Sequence, residues 1–383
     1  MKILFFTAWY PSEINPNFGV FIKEHAKAIQ TTDNEIVVLA IVIHRSKCLW
    51  EKTTKDFVDE NGIRTILIEI TTCFRDIAYH AIPLQYWIVK RTFRKLQPAF
   101  NPDIVHSSVI FPAGIIGNWL SKKLKKPHII SEHFSGIART LRIPIISYWA
   151  KKAYQKATYI LPVSTYLKEN LIALMPVLKK NNIQVIPNII DEQLFVYKEK
   201  SAVSDKITLC SIATWNKYKK PAKQPELLID AVSALQKEVD KEIILIMVGG
   251  GDKLDELKER CKEKKVNAIF TGYLAKSEIV KKLHEADFFV HPTLIETFGV
   301  VVAEALFIGT PVICSNTGAL GELVNEQNGI LCVNTVEDWT EALKTAINTT
   351  FDHQKIAENI KEKYSYKQIG KAIDEVYQEV IKL

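Results

Sequence analysis

Residues 288–322, FFVHPTLIETFGVVVAEALFIGTPVICSNTGALGE, leave the chain few ways to fold. A short apolar strand, Phe288–Val290, ends at His291-Pro292, and a turn follows with Glu296, Thr297, Phe298 and Gly299. An apolar run then stops at Gly309, and Pro311 leads into a second strand, Val312–Cys314. Val300, Val301 and Val302 are β-branched and suit a strand. Ala303, Glu304, Ala305 and Leu306 favour helix, however, and Gly309 followed by Pro311 is a helix stop and a restart. The spacing predicts strand, helix, strand.

A helix starting near Gly299 turns its unpaired N–H groups toward the end of the preceding strand, where Glu296 sits. Such a terminus attracts phosphate through those donors and the helix dipole. Glycine at 299 lets a ligand approach the backbone closely. Glu304 stacks over Val300 one turn along the helix and reaches the same place. Two carboxylates flanking a phosphate-binding backbone suit a ligand with hydroxyls on both sides of a pyrophosphate, as in a nucleotide sugar.

HPTLIETFGVVVAEAL followed by GTPVICSNTGALGELV resembles the donor site of retaining glycosyltransferases of family 4, which have the GT-B fold. The Glu-x7-Glu pair of that family falls on Glu296 and Glu304. The resemblance implies an α/β chain of two Rossmann-like, doubly wound parallel-sheet domains facing a central cleft. It implies transfer of a sugar, with retention, from a UDP- or GDP-type donor to a glycan or lipid-linked acceptor in cell-surface polysaccharide biosynthesis. Glu304 would hold the ribose hydroxyls. Glu296 would hold the sugar and steady an oxocarbenium-like state, with Thr297, Phe298, Gly299 and Val300 forming the donor turn. A nucleotide-sugar epimerase on the same fold, or a catalytically silent glycan- or membrane-binding relative, are the alternatives.

The first half alternates strands and amphipathic helices. Strands are predicted at Ile3–Thr7, Ile36–Ile43, Arg64–Ile70, Ile104–His106, His128–Ser131, Tyr159–Pro162 and Gln184–Ile186. The first turn carries Gly19, the residue matching a glycine-bearing loop of the family, and ligands gather at such strand ends. His106 ends one strand as an acceptor-side candidate, or as a histidine satisfied by backbone. His133, in SEHFSG, resembles the family's acceptor-side histidine and is a catalytic candidate.

VIPNIIDEQLF resembles the family's segment between domains, and the polar residues 197–206 read as a linker. The expected domains are 1–190, binding acceptor, and 191–365, binding nucleotide sugar. A helix over 366–383 is expected to cross back to the first domain. In the second domain Gly249-Gly250-Gly251 lacks the dehydrogenase spacing and reads as a tight turn beside the donor. Family members often carry arginine and then Lys-Gly before the next helix. Here Lys223 takes the lysine's place, Gln224 replaces glycine, no arginine occurs, and Lys217, Lys219 or Lys220 are substitutes.

Charge is divided unevenly. Residues 1–190 hold 25 Lys and Arg against 13 Asp and Glu, and residues 191–383 hold 25 against 30. The stretch Pro83–Leu96 has an apolar face of Tyr86, Val89, Phe93 and Leu96 and a basic face with Lys90, Arg91, Arg94 and Lys95. Such a helix either lies on an anionic membrane surface or packs on its own sheet with its charges solvated. No groove-reading motif accompanies the charge, so nucleic acid is not an expected partner. No run approaches the roughly 20 apolar residues of a membrane span. The first residues read as a buried strand rather than a signal peptide. Six scattered cysteines without a Cys-x-x-Cys pair fit a reducing cytoplasm. No metal-binding Asp-x-Asp motif is present, so neither metal nor cofactor is expected.

Overall fold

Short runs of Ile, Leu, Val and Phe build two sheets, as expected of strands covered by helices on both faces. The computed structural model describes residues 1–199, 205–217 and 222–382. The chain divides into two units, Met1–Ile189 with the last helix Tyr366–Lys382, and Ile190–Ser365.

In the first unit β1 (Lys2–Thr7), β2 (Glu35–Arg45), β3 (Glu51–Val58), β4 (Arg64–Thr72), β5 (Ile104–Ser108), β6 (His128–Glu132), β7 (Tyr159–Pro162) and β8 (Asn182–Ile183) form one sheet. Their order is β3-β4-β2-β1-β5-β6-β7-β8. The helices are α1 (Val20–Gln30), α2 (Arg75–His80), α3 (Ile82–Leu96), α4 (Ile115–Leu124), α5 (Ile137–Thr140), α6 (Pro144–Lys156) and α7 (Thr165–Leu174). The strand order reverses direction between β1 and β5, the place where open α/β sheets bind ligands.

In the second unit β9 (Lys206–Ile212), β10 (Glu242–Val248), β11 (Asn267–Gly272), β12 (Phe288–His291), β13 (Val312–Ser315) and β14 (Gly329–Cys332) run in the order β11-β10-β9-β12-β13-β14, all parallel. Around them lie α8 (Pro225–Leu235), α9 (Leu254–Lys264), α10 (Lys276–Glu285), α11 (Val300–Phe307), α12 (Leu320–Leu323), α13 (Val336–Ile347) and α14 (His353–Tyr364). Here the order reverses between β9 and β12. The final helix, α15 (Tyr366–Lys382), packs on α1 in the first unit, with Ile369, Ile373, Val376, Tyr377 and Val380 buried.

Two sequence expectations change, and the apolar face of α3, left open above, is located. The first sheet is not wholly parallel, because β3 pairs antiparallel with β4. Its residues EKTTKDFV are almost all exposed and carry no apolar face to betray a strand, and their charges protect the sheet edge. The strand expected at Gln184–Ile186 is assigned at Asn182–Ile183. Gln184 and Ile186 still donate N–H bonds to the Ile160 and Pro162 carbonyls, but Pro187 has no N–H with which to extend the ladder. Finally, Val89, Phe93 and Leu96 of α3 are buried and Tyr86 meets Trp119 edge-on at 5.4 Å, so this apolar face packs within its own domain.

The first unit buries His25, His106, His128 and His133 in its interior. Burial holds His25 down to about 4 and His128 to about 3, and holds His106 and His133 well below the ordinary imidazole value. These rings fold uncharged, whereas the unfolded chain takes up their protons near pH 6.5. Stability is therefore fully present above pH 6.5 and falls as pH drops toward 4, by ~1.4 kcal/mol per pH unit for each such histidine. Urea melts at pH 7.5, 6 and 5 are expected to show midpoints falling at each step. Equal midpoints at pH 7.5 and 5 would contradict this account of the core.

Candidate functional site

The second unit gathers polar groups where its strand order reverses. The chain after β9 returns along the end of β12: Lys223 bridges to Thr293, Gln224 N–H donates to the Pro292 carbonyl, and Leu294 N–H donates to Ala222. This docking carries the Lys223 ammonium to the mouth of β12. There Nζ donates to Glu296 Oε2 at 2.8 Å and to His291 Nε2 at 2.8 Å. An ammonium has only protons to give, so His291 accepts through Nε2 and keeps its own proton on Nδ1.

His291 is buried and its ring stacks on Phe289. Burial and the Lys223 charge hold it down to about 4, so it stays neutral near pH 7. Burial alone would raise the Glu296 carboxyl, but the Lys223 ammonium bonded to it outweighs burial and keeps Glu296 ionised, below the usual carboxylate range.

The turn carrying Glu296 is itself braced. Thr293 N–H donates to Ser315 Oγ, Ser315 Oγ donates to Asn334 Oδ1, and Asn334 Nδ2 donates back to the Thr293 carbonyl. Ala319 N–H donates to the Glu296 carbonyl, and Thr297 N–H donates to Glu296 Oε1. Gly299 starts α11 with φ 96°, a left-handed conformation that a side chain would strain, and an added Cβ would meet Leu320 at 2.8 Å. Helix α11 begins at Val300, so its first N–H groups open at this turn. Glu304 lies one turn along and is buried. Phe298 is turned inward against Tyr364 at 5.5 Å and anchors the turn to α14.

The triple glycine closes the other wall. Gly249 N–H donates to Gly272, Trp215 N–H donates to the Gly250 carbonyl, and Lys253 N–H donates to the Trp215 carbonyl. A Cβ on Gly249 would lie 1.8 Å from the Ala213 backbone oxygen, so close packing of the chain on itself already demands that glycine, whereas one on Gly250 would meet only the exposed Tyr273 ring. A cavity of about 290 Å³ opens here, lined by Trp215, Asn216, Lys223 and Lys253 among others. The Trp215 indole N–H on its wall is buried without a partner among the described residues. Lys217 is engaged by Glu256. Lys219 and Lys220 lie outside the described residues.

The remaining candidates fall in the first unit. Gly19 caps α1 and fits against Trp9, where a Cβ would come within 2.5 Å of the backbone. His133 is buried and donates Nδ1–H to Asn188 Oδ1 at 2.9 Å, and His25 shares the same acceptor at 3.2 Å. The loop bearing His133 hangs on Glu132, whose carboxylate accepts from the N–H groups of Ile110, His133 and Phe134 and from the Tyr154 hydroxyl. His106 corrects the sequence expectation. It is fully buried, with one ring nitrogen bonded to Tyr377 and the other to Ser131, and so has nothing left to offer an acceptor.

Sequence reasoning missed His291, Trp215 and the Ser315–Asn334 brace. His291-Pro292 was visible as a strand end, but nothing along the chain signalled its bond to Lys223. Among the described residues, no three or more His, Cys, Asp or Glu side chains gather to hold a metal.

Residues 196–363 match the family Glycosyl transferases group 1, and residues 21–194 match Glycosyltransferase Family 4. The chain belongs to the group 1, family 4 glycosyltransferases. This glycosyltransferase is 29% identical over 337 residues to an uncharacterized glycosyltransferase of Methanocaldococcus jannaschii, covering 85% of this chain and 89% of the relative. It is 26% identical over 303 residues to the alpha-monoglucosyldiacylglycerol synthase of Streptococcus pneumoniae, covering 74% of this chain and 67% of that one. Among solved structures, Anabaena HepE in complex with UDP superposes with a TM-score of 0.70 at 17% identity, covering 99% of this chain and 100% of that chain. The glycosyltransferase thus has the GT-B fold, with two parallel-sheet α/β domains.

The Lys223–Glu296 pair is expected to couple in a double-mutant cycle. Lys223→Met and Glu296→Gln should each destabilise the protein, and the double variant should recover about 1–2 kcal/mol of their sum. Strictly additive losses in urea melts would show that the two side chains do not meet.

Proposed function

We propose that this glycosyltransferase moves a sugar, with retention at the anomeric carbon, from a UDP- or GDP-type donor to a glycan or lipid-linked saccharide in cell-surface polysaccharide or glycolipid synthesis. The observation that carries the reading is the meeting of Lys223, Glu296 and the first N–H groups of α11 where the second sheet reverses. Breaking the bond between sugar and diphosphate leaves negative charge on the phosphate and positive charge on the ring. Lys223 and the α11 terminus stabilise the first, and the Glu296 carboxylate stabilises the second. Glu304 holds the ribose. His133 is the first-domain residue assigned to the sugar side, through Nε2, since Nδ1–H is given to Asn188. With Lys223 and the α11 N–H groups meeting the charge on the leaving diphosphate, the scheme calls for no metal. HepE's bound UDP supports the donor class, and the glucosyldiacylglycerol in the pneumococcal relative's name supports an acceptor held in a membrane.

A reversible contact with anionic membrane belongs to the same reading. Neighbouring helices α3, α4 and α6 carry nine Lys and Arg and no Asp or Glu, and α3 exposes Trp87 and Leu84 beside its cations. No helix among the described residues is long and apolar enough to cross a membrane. Each cation near an anionic leaflet contributes about 1 kcal/mol.

The test is a donor screen by release of nucleoside diphosphate, with saccharide acceptors free in solution and lipid-linked in anionic or neutral vesicles. The anomeric configuration of the product is read by NMR. The expected result is a product with the donor's configuration, made faster on anionic vesicles and slowed there by salt. An inverted product, or an epimerised donor without transfer, would overturn the mechanism. Indifference to vesicle charge would overturn the membrane contact alone.

A further inference from the structure

The first unit carries a second constellation that none of the preceding chemistry uses. The segments that follow β1, β4, β5 and β6 each deliver an aromatic ring to one place: Trp9, Tyr79 on α2, Phe111 and Phe134. Trp9 meets Phe134 edge-on at 5.3 Å and Phe18 at 5.7 Å. Tyr79 meets Phe111 edge-on at 5.2 Å, and His80 lies against Phe111 at 5.6 Å. A hydrogen bond from Trp9 Nε1 to the Tyr79 hydroxyl, at 3.2 Å, joins the two halves. Because that hydroxyl is an acceptor here, its own proton remains to be donated.

These rings differ from ordinary core. Phe111 is buried, but Trp9, Phe18, Tyr79 and Phe134 are only half-buried and His80 is exposed. The bowl spans β1 and β5, where the strand order reverses, and lies beside His133 through the contact of Phe21 with that ring at 5.1 Å. Half-buried aromatic rings around a hydroxyl with a proton to donate match a molecule that is apolar on its faces and polar around its edge. A pyranose is built this way, with C–H groups on its faces and hydroxyls at its rim, and the electron-rich aromatic face attracts the C–H face. An acyl chain would leave the Tyr79 O–H proton without an acceptor, at a cost.

We propose that this aromatic bowl is the subsite for the acceptor's terminal sugar, with Trp9 stacking on the pyranose and Tyr79 donating to one of its hydroxyls. The assignment rests on the glycosyltransferase reading for the word acceptor. The sugar is equally well supplied by a soluble glycan or by the head of a lipid-linked one.

Saturation-transfer NMR on the full chain tests it, using methyl glucopyranoside, galactopyranoside and mannopyranoside and their n-octyl counterparts. At least one methyl pyranoside is expected to receive saturation at its ring C–H protons. Trp9→Leu should reduce that transfer at least fivefold, and Tyr79→Phe should raise the dissociation constant about three- to tenfold. UDP and GDP affinity should be the same in both variants, and an unchanged urea midpoint reports on their folding. If Trp9→Leu fails to fold, Tyr79→Phe and Phe134→Leu decide the matter. Transfer to the octyl chain alone, or pyranoside signals that ignore these substitutions, would overturn the proposal. Failure of wild-type protein to bind either nucleotide would instead strike at the donor reading and leave the bowl standing.

Discussion

A carboxylate taken out of water at the end of a parallel strand needs a charged partner, and in the second domain that partner is the Lys223 ammonium. Much of the local architecture serves this one pairing. The loop before α8 must fold back along Pro292–Leu294 to bring the lysine in. His291 must stay neutral to accept a second of its protons, and burial under Lys223 keeps it so. The Ser315–Asn334 brace holds the turn from which Glu296 projects. With these in place, a lysine, a carboxylate and a helix terminus meet at one strand end before any ligand arrives. In the proposed transfer such a site would stabilise separating charge with little rearrangement.

The two domains use their sheets in the same way. Each reverses its strand order once, between β1 and β5 or between β9 and β12, and each collects its unusual side chains there. What differs is their chemistry. The second domain offers an ion pair, backbone N–H groups and glycine-lined walls suited to a diphosphate. The first offers aromatic faces, hydroxyls and neutral histidines suited to an uncharged polyol. The division of charge along the chain is separate from this, since the basic excess of the first half lies largely on the outward helices α3, α4 and α6.

What the sequence made legible follows from how local each signal is. The helix starting at Val300, the Glu296 turn and the strand–helix alternation are written in neighbouring residues, and the structure holds them nearly where expected. Lys223 was placed by its distance from α8, but its bond to His291, 68 residues away, has no local trace. His106 stood between an acceptor-side role and a satisfied strand end, and Tyr377, 271 residues further on, decides it by taking one nitrogen. Strand β3 was invisible because a fully exposed edge strand has no apolar period. The aromatic bowl was invisible for the opposite reason. Each of its rings passes for an ordinary loop or core residue, and only the topology of four separate strand ends brings them together.

The central claim is that Lys223 and the start of α11 recognise a diphosphate while Glu304 recognises the ribose. Isothermal titration of nucleoside and nucleoside diphosphate, with uridine and guanosine, separates these roles. The account predicts that Lys223→Ala weakens the diphosphate at least about tenfold and leaves the nucleoside unchanged, while Glu304→Ala weakens both by about ten- to a hundredfold. Equal affinity of wild-type protein for nucleoside and diphosphate, or a Lys223→Ala variant that binds the diphosphate as before, would contradict it.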